Sequence, residues 1–348
     1  MRTVLVTGGC GFIGSHFIRC LLRERSWRVV NLDKLTYAGD LDRLSDVAGE
    51  PSYRLVHGDI ADAKLVEEVV VTERPWAIVN FAAESHVDRS ILDPTPFLRT
   101  NVQGVHVLLD ATRRHGVERF LQISTDEVYG DAEDSGPRSE EDPLRPSSPY
   151  AASKAAADLL CLAYCRTYGL PVLIARSSNN YGPYQHPEKL IPLVIHNLLV
   201  GEEVPIYGDG GQRRDWLFVE DNCRALLLLL EQGVVGTIYN IATGVRVRNL
   251  ELVQSICIIL ARELGTDPAG FFDRVRFVPD RPGHDRAYAV RTDRIAHTLG
   301  WRPEVDLEEG LLRTVRWYLA NRDWLVQRTD EEYRAYYEAV YRRGWKLA

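Results

Sequence analysis

Two short groups of residues near the middle of the chain carry side chains that can act as acids and bases. Residues 124–130 (Ser-Thr-Asp-Glu-Val-Tyr-Gly) place Asp126 beside Glu127 directly after an apolar stretch. Neighbouring carboxylates can divide the roles of general acid and general base in an elimination. Tyr150 precedes Lys154 by one helical turn, and such a pair can handle the proton of a hydroxyl group while a hydride leaves the same carbon.

Both groups also have a simpler structural interpretation. Ser124 followed by Glu127 fits a helix capping box, with Asp126 favourable at the positive start of a helix. Tyr150 and Lys154 fall on one helix face by spacing alone, as many surface pairs do. If both groups face one nicotinamide ring, however, they predict oxidation of an alcohol, loss of water and return of the hydride. That combination indicates a dehydratase, whereas the Tyr–Lys pair alone indicates a dehydrogenase.

The first half of the chain alternates short apolar strands with amphipathic helices. The predicted strands are residues 4–7, 28–33, 54–57, 77–81, 120–124 and 172–175, and the predicted helices are 12–25, 63–72, 95–115 and 151–168. Strands separated by helices of this size form a parallel sheet covered on both faces. After residue 177 the pattern becomes shorter and mixed. We therefore predict an α/β protein with a Rossmann-type doubly wound parallel sheet and a smaller, mixed α/β C-terminal domain. The expected division is residues 1–178, joined by part of 216–243, and residues 179–348.

A glycine-rich loop lies between the first predicted strand and the first predicted helix. Gly8, Gly11 and Gly14 would let the backbone approach a pyrophosphate, whose charge rests on the helix N-terminus. Asp33 ends the second predicted strand, where a carboxylate can bind the adenosine ribose hydroxyls and would repel a 2′-phosphate. The loop therefore predicts NAD, although Lys34 beside Asp33 argues in the opposite direction. The alternative is a tight strand-to-helix turn with an exposed Asp.

Composition narrows the class of protein. The net charge of −7 and a pI near 5.8 argue against a nucleic acid or an anionic membrane as partner. The longest apolar run, residues 225–230, is too short to span a bilayer. Because the first residues lead directly into a strand, we expect no signal peptide. The six scattered cysteines predict no metal site and fit a reducing compartment, so we expect a cytoplasmic protein.

Taken together, these motifs resemble the extended short-chain dehydrogenase/reductases, and among them the dTDP-glucose 4,6-dehydratase family. The further stretches that carry the resemblance are residues 33–39, 57–60, 82–90, 179–183, 187–192 and 281–285. The resemblance covers nearly the whole chain. It implies conversion of dTDP-glucose to a 4-keto-6-deoxy sugar, tightly bound NAD that is regenerated in each turnover, and a homodimer formed through the helices at 95–115 and 151–168.

The resemblance also implies the residues that hold the two ligands. Besides the three glycines and the Tyr150–Lys154 pair, those at the NAD site are Phe12, Ile13, Asp33, Lys34, Leu35, Thr36, Asp59, Ile60, Ala82, Ala83, Thr100 and Asn180. Those at the sugar-nucleotide site are Ser85, Thr125, Asn179, Lys189, Leu190, Pro205, Tyr207, Arg214, Asn249, Arg281 and His284. Lys189 and Arg214 would supply positive charge for the diphosphate, and Tyr207 a flat face for the base. Arg213, next to Arg214, leaves open which arginine reaches the diphosphate.

Each candidate catalytic residue has an expected role. Tyr150 would accept the proton of the 4-hydroxyl, which requires a pKa about 3 units below the ordinary ~10, and Lys154 together with the positive charge of the nicotinamide would lower it. Thr125 would hydrogen-bond the 4-oxygen. Glu127 would remove the C5 proton, and a protonated Asp126 would donate to the departing 6-hydroxyl.

Two alternatives remain open at this stage. A sugar-nucleotide 4-epimerase or decarboxylase shares the glycine-rich loop and the Tyr–Lys pair but generally lacks the acid at Asp126. A catalytically silent NAD-binding protein could have the same fold, but loss of Tyr150, Lys154 or one of the acids would be expected for it, and none is lost.

Overall fold

The structure, a computed structural model, describes residues 1–342. Within these residues the chain forms twelve strands: β1 (Thr3–Thr7), β2 (Arg28–Asp33), β3 (Tyr53–His57), β4 (Ala77–Asn80), β5 (Arg119–Thr125), β6 (Val172–Ser177), β7 (Asn179–Tyr181), β8 (Val204–Tyr207), β9 (Arg213–Phe218), β10 (Ile238–Ile241), β11 (Arg246–Arg248) and β12 (Val275–Val278). The α-helices of the same residues are α1 (Phe12–Arg25), α2 (Ala63–Glu73), α3 (Val87–Leu92), α4 (Thr95–Phe97), α5 (Val105–His115), α6 (Pro149–Tyr168), α7 (Leu190–Val200), α8 (Val219–Gln232), α9 (Asn249–Leu264), α10 (Ala269–Phe272), α11 (Asp293–Leu299), α12 (Leu307–Ala320), α13 (Arg322–Gln327) and α14 (Glu331–Tyr337).

A seven-stranded parallel sheet forms the larger part of the molecule, with the strand order β10-β6-β5-β4-β1-β2-β3. Successive side chains of a strand point to opposite faces. Val4 and Val6 of β1 therefore pack in a core with α1 and α8, whereas Leu5 packs in a second core with α2 and α5. The doubly wound α/β fold predicted from the alternating pattern is confirmed.

Two smaller sheets lie in the second half of the chain. One has the order β11-β9-β7 and mixes antiparallel and parallel pairing, and the other pairs β12 with β8. Helices α7, α9 and α12 enclose a third core with them, around Ile191, Phe218 and Leu252. The second half also completes the large sheet, since β10 pairs with β6.

The helix predicted at residues 95–115 is interrupted. After α4 the backbone forms a π-helical segment, Leu98–Gly104, before α5 begins. Asn101 in this segment is buried: its amide donates to the carbonyl oxygen of Glu84 and to Ser153, and its Oδ1 accepts from the N–H of Glu84. These long-range contacts stabilise a local form that sequence periodicity does not encode.

Residues 1–342 contain neither a membrane-spanning helix nor a group of metal-binding side chains. None of the helices within residues 1–342 has the length and apolar character needed to cross a bilayer. The same residues contain no group of three side chains placed to hold a metal ion. All six cysteines are free thiols.

Candidate active site

A cavity of about 300 Å³ opens at the carboxyl ends of the parallel strands. Loops that follow neighbouring parallel strands meet at this edge, which is why residues far apart in sequence converge there. The five candidate catalytic residues line the cavity: Thr125, Asp126, Glu127, Tyr150 and Lys154. So do these candidate NAD residues: Gly8, Gly11, Phe12, Ile13, Gly14, Asp33, Lys34, Thr36, Asp59, Ile60, Ala82, Ala83, Thr100 and Asn180. Leu35 does not line it.

The glycine-rich loop leaves the N-terminus of α1 open to the cavity. Gly8 has a φ of +67°, and its N–H donates to the carbonyl oxygen of Leu32. Gly11 precedes α1 in an extended conformation, without a side-chain cap and without an acid in the first helical turn. The first N–H groups of α1 are therefore available to an anion, and the helix dipole favours one there. This arrangement fits the pyrophosphate of NAD.

Alanine at position 14 should disturb this loop and release the cofactor. A Cβ on Gly14 would lie 2.5 Å from the carbonyl oxygen of Gly8 and 2.9 Å from Cα of Gly9, so the turn must move. We expect Gly14→Ala to lose about 1–3 kcal/mol of stability and most of the NAD that co-purifies, measured in the supernatant after denaturation. Gly49→Ala is the control, because nothing lies within 4 Å of its Cβ. Equal NAD content in both variants would contradict this assignment of the loop.

Asp33 is fixed at the end of β2, where the adenosine ribose is expected. Its Oδ1 accepts a hydrogen bond from the N–H of Leu35 and its Oδ2 from the N–H of Cys10, each at 2.8 Å. Each oxygen keeps a lone pair for a ribose hydroxyl. Lys34 points to a different partner, since its Nζ lies 2.9 Å from Oδ2 of Asp59. Lys34 therefore does not neutralise Asp33.

The carboxylate pair follows β5 in a single turn of 3₁₀-helix, Asp126–Tyr129. The residue that caps this turn is Thr125, whose Oγ1 accepts from the N–H of Glu127 at 3.2 Å. The capping-box interpretation, with Ser124 as the cap, is therefore wrong. The helix begins one residue later, and the Glu127 carboxyl instead lies 3.3 Å from the hydroxyl of Tyr288.

The two neighbouring carboxyls have different surroundings. Burial, together with the charges of Glu127 and Asp215, raises the pKa of Asp126 well above its usual range. Its Oδ2 is buried with no hydrogen-bond partner among the described residues. Burial also raises the pKa of Glu127, but the positive charges of Arg281, Arg214 and Lys189 oppose that rise. Of the two carboxyls, Asp126 therefore has the stronger tendency to keep its proton, whereas the cations around Glu127 favour its charged form.

Tyr150 and Lys154 belong to the first turns of α6. This helix begins where it does because the Ser148 hydroxyl accepts from the N–H of Ala151, with Pro149 in the first turn. Burial, with the charge of Glu127, raises the pKa of Tyr150, opposed by a hydrogen bond with Thr125.

The Lys154 ammonium is held by the backbone at the end of β5. Its Nζ donates to the carbonyl oxygen of Ile123 at 2.6 Å, and burial lowers its own pKa to about 8. At neutral pH a lysine with this pKa is still mostly charged, so it can stabilise a phenolate as expected. The positive charge of the nicotinamide is expected to act with Lys154 in lowering the pKa of the phenol.

The residues that the resemblance assigns to the sugar nucleotide divide into two groups. Four line the cavity: Ser85, Thr125, Asn179 and Lys189. The others lie outside it: Leu190 at the start of α7, Pro205 and Tyr207 on β8, Arg214 on β9, Asn249 at the start of α9, and Arg281 and His284 in the loop after β12.

Several members of the outer group are in mutual contact. The ring of His284 packs against Tyr207. The guanidinium of Arg214 lies 4.2 Å from the ring centre of Tyr288, and Arg214 is buried whereas Arg213 is exposed. Arg214 therefore lies beside the carboxylate pair, and its charge acts on both Asp126 and Glu127.

Tyr288 and Glu188 are site residues to which the sequence analysis gave no role. The Tyr288 hydroxyl lies close to Glu127 and 2.9 Å from Oδ2 of Asp285. Glu188 lines the cavity, with Arg89 Nε 3.2 Å from its Oε2 and the Tyr37 hydroxyl 3.2 Å from its Oε1. The stretch 187–192 could have indicated Glu188 from sequence, but no spacing pattern indicates Tyr288.

Glu188 should give the folded chain a pH-dependent part of its stability. Burial raises the pKa of this carboxyl, but the charges of His86 and His186, followed by those of Lys189 and Arg89, lower the pKa to about 2 from the ordinary 4.5. Because the folded-state pKa is the lower one, the stabilisation is complete above pH 4.5 and is lost as the pH falls through about 2.

We therefore expect Glu188→Gln to lower the free energy of unfolding by about 2–3 kcal/mol at neutral pH. The difference in unfolding free energy between Glu188→Gln and the wild type should become smaller only at acidic pH. Urea unfolding at a series of pH values measures it. Glu332→Gln is the matched control, because Glu332 is the exposed partner of the same Arg89 and should change stability little. A stability difference between Glu188→Gln and the wild type that does not change with pH would show that the charge of Glu188 is not what stabilises the fold.

Known proteins share both the sequence and the fold. The matching family model is described as GDP-mannose 4,6 dehydratase and covers residues 5–314. A dTDP-glucose 4,6-dehydratase of Xanthomonas campestris pv. campestris (strain B100) is 48% identical over 347 residues, 96% of this chain and 98% of the relative. Another, of Streptomyces niveus, is 50% identical over 92% of this chain and 94% of the relative. This chain belongs to the dTDP-glucose 4,6-dehydratase family.

Solved structures agree with this assignment to the dTDP-glucose 4,6-dehydratases. The crystal structure of DesIV, a dTDP-glucose 4,6-dehydratase from Streptomyces venezuelae with NAD and TYD bound, has a TM-score of 0.88 and 50% identity over 94% of this chain and all of its own. A UDP-glucose 4-epimerase from Thermotoga maritima reaches a TM-score of 0.84 at 31% identity over 92% of this chain. The epimerase has the same fold, but the closer sequence similarity is to the dehydratases.

Proposed function

We propose that this chain converts dTDP-glucose to dTDP-4-keto-6-deoxyglucose and water with NAD as its resident cofactor. The observation that carries the proposal is the convergence of two pairs of residues in one cavity. The Asp126–Glu127 carboxyls line the same cavity as Tyr150 and Lys154. A 4-epimerase needs only the second pair, whereas an elimination needs an acid and a base in addition.

The residues of the chain suit NAD. The open N-terminus of α1 fits the pyrophosphate, Asp33 fits the adenosine ribose, and Tyr150 lines the same cavity as the carboxylates. When bound, NAD takes a hydride from C4 of the sugar and returns it to C6. The side chains of the protein bind and orient the sugar nucleotide and transfer its protons.

Tyr150 and Thr125 act at the first step. Tyr150 accepts the proton of the 4-hydroxyl as C4 is oxidised, and Thr125, whose side chain hydrogen-bonds the same phenol, lies beside the 4-oxygen. Lys154, held by the Ile123 carbonyl oxygen, keeps a positive charge behind the tyrosine up to a pH of about 8. Proton transfers of this kind typically contribute 10²–10⁴-fold to a rate, to an order of magnitude.

The carboxylate pair acts at the second step. The ketone at C4 makes the proton at C5 acidic, and Glu127 removes it. Asp126, kept protonated by burial and by its neighbour's charge, donates its proton to the departing 6-hydroxyl. The difference in pKa between two adjacent carboxyls thus sets which one is the acid and which one is the base.

The proposed function also includes a division into two domains, a homodimer and a cytoplasmic location. Residues 1–178, together with α8 and β10, form the NAD-binding domain, and most of residues 179–348 form the sugar-nucleotide domain. The chain forms a homodimer through the helices at residues 95–115 and 151–168, a role supported by exposed apolar side chains at Leu98, Leu159 and Tyr168. The six free thiols suit the reducing cytoplasm.

Mass spectrometry of dTDP-glucose incubated with the purified chain, with no NAD added, tests the proposed function. Loss of one water with appearance of a ketone is the expected result, and it also shows that NAD co-purifies. A product of unchanged mass but altered stereochemistry would instead indicate an epimerase. No change with dTDP-glucose, or with other sugar nucleotides after NAD is added, would overturn the proposal in favour of a silent binder.

A further inference from the structure

A buried carboxylate near the catalytic cavity joins four separate elements of the fold. Asp88, in the first turn of α3, is 1% exposed. Its Oδ1 accepts from Nη1 of Arg281 at 3.0 Å. Its Oδ2 accepts from the hydroxyls of Tyr207 at 2.8 Å and Tyr336 at 2.9 Å. Asp88 does not line the cavity that holds the catalytic residues, so any function must be exerted through its partners.

The electrostatics of Asp88 make it a strong acceptor. Burial raises the pKa of Asp88. The charges of His86 and Arg281 and the hydrogen bond from Tyr207 have a larger opposite effect, and they lower the pKa to about 2. The carboxylate is therefore charged at every physiological pH. Hydrogen bonds to a buried charged acceptor are roughly twice as strong as neutral ones, and they fix the geometry of their donors.

Two of its three donors are residues that the resemblance assigns to the sugar nucleotide. Arg281 uses Nη1 for Asp88, while its Nε is buried with no hydrogen-bond partner among the described residues. A buried N–H without a partner in the protein is available to a ligand. The charge of Arg281 also acts on the pKa of Glu127. Arg281 thus interacts with both carboxylates, and its hydrogen bond to Asp88 holds its guanidinium in place.

The third donor belongs to the C-terminal segment. Tyr336 lies on α14, and Tyr341 follows in the π-helical turn Glu338–Arg342. The ring of Tyr341 packs against that of Tyr207, with the ring centres 5.4 Å apart at an angle of 31°. The face of Tyr207 that was expected to receive a base is thus shared with a tyrosine of the C-terminal segment, which Tyr336 ties to Asp88.

We propose that Asp88 is a positioning residue for nucleotide binding, which fixes Tyr207 and Arg281 for the ligand and holds the C-terminal segment against them. This role rests on the proposed function, because it requires a sugar nucleotide to bind beside these two side chains. It predicts that changes at Asp88 or Tyr336 weaken nucleotide binding without removing any group from the catalytic cavity.

Two adjacent tyrosines of α14 provide a matched test. Tyr336 donates to Asp88, whereas the Tyr337 hydroxyl accepts from Asn197 and lies near the carbonyl oxygen of Glu203. In the NAD-bound enzyme, we expect Tyr336→Phe to raise the Kd for dTDP, measured by calorimetry, roughly three- to tenfold. The KM for dTDP-glucose should rise by the same factor, with kcat within about twofold of wild type. Tyr337→Phe should leave both constants within about twofold.

The carboxylate itself is tested by Asp88→Asn. An amide cannot accept hydrogen bonds on both sides, so either Arg281 or the two tyrosines lose their acceptor. We expect the Kd for dTDP to rise by at least about tenfold. Adding Tyr336→Phe to this variant should change the Kd little further, because the two changes remove the same interaction.

The outcomes separate this role from the proposed function. Equal effects of Tyr336→Phe and Tyr337→Phe would overturn the positioning role. So would an Asp88→Asn variant that binds dTDP as wild type does, or one in which only kcat falls. A wild-type enzyme that neither binds dTDP nor converts dTDP-glucose would overturn the proposed function itself, whatever the variants do.

Discussion

Replacing Asp126 by Asn should reduce formation of the keto-deoxy product by roughly 10²–10⁴-fold while oxidation at C4 continues. Asn has nearly the same shape but has no acidic proton to give to the departing hydroxyl. Burial raises the pKa of the Asp126 carboxyl and so favours its protonated form, and the exchange removes that proton donor. Product mass and the absorbance of reduced nicotinamide measure the two steps separately. The product signal should fall, and reduced nicotinamide should accumulate in a single turnover.

Glu127→Gln is the matched control, because it makes the same chemical change at the neighbouring carboxyl. In deuterated water, Asp126→Asn should still exchange the C5 hydrogen, since Glu127 remains able to remove that proton from the ketone. Glu127→Gln should not exchange it. The same exchange behaviour in both variants would contradict the division of acid and base roles, and full product formation by Asp126→Asn would remove Asp126 from the mechanism.

Tyr150→Phe should lower kcat by about 10²–10⁴-fold and prevent the reduced nicotinamide from forming at all. The first step then has no acceptor for the 4-hydroxyl proton, so the block lies earlier than in the carboxylate variants. The phenyl ring keeps its packing against Phe97, where the ring centres are 6.3 Å apart. Rapid-mixing measurements of nicotinamide absorbance after addition of dTDP-glucose check this result.

Tyr164→Phe is the control for that experiment. Tyr164 lies on the same helix, but its hydroxyl pairs with His106 at the surface. This variant should retain wild-type rates. Reduction of nicotinamide at the wild-type rate in Tyr150→Phe would show that another group accepts the proton.

The framework of the large sheet was predictable because it depends on local pattern. The strand predicted at residues 28–33 is β2, and the helix predicted at 12–25 is α1. Apolar residues at period 2 or 3.6 leave little choice of which face is buried. The π-helical segment at Leu98–Gly104 was not predictable, because Asn101 bonds to Glu84 and Ser153 only after the chain has folded.

The site could be predicted only in part, because some of its contacts form only when distant parts of the chain come together. Motifs placed Asp126, Tyr150 and Lys154 at the edge of the sheet, where the cavity lies. Spacing could not show that the Tyr288 hydroxyl reaches Glu127 from 161 positions further along the chain. Nor could it show that Tyr341 packs against Tyr207. Such contacts depend on how the smaller sheets and the C-terminal segment meet the large sheet.

The pairing of β10 with β6 has a consequence for how the chain is made. During synthesis on the ribosome, β6 emerges as an unpaired edge, and its partner, Ile238–Ile241, is translated only after α7, β8, β9 and α8. Until then the nascent chain exposes a strand edge, and α1 lacks the apolar cover of α8. Exposed edges and apolar faces promote aggregation. We therefore expect chaperones to hold the nascent chain past its midpoint, and fragments that end near residue 178 to be insoluble.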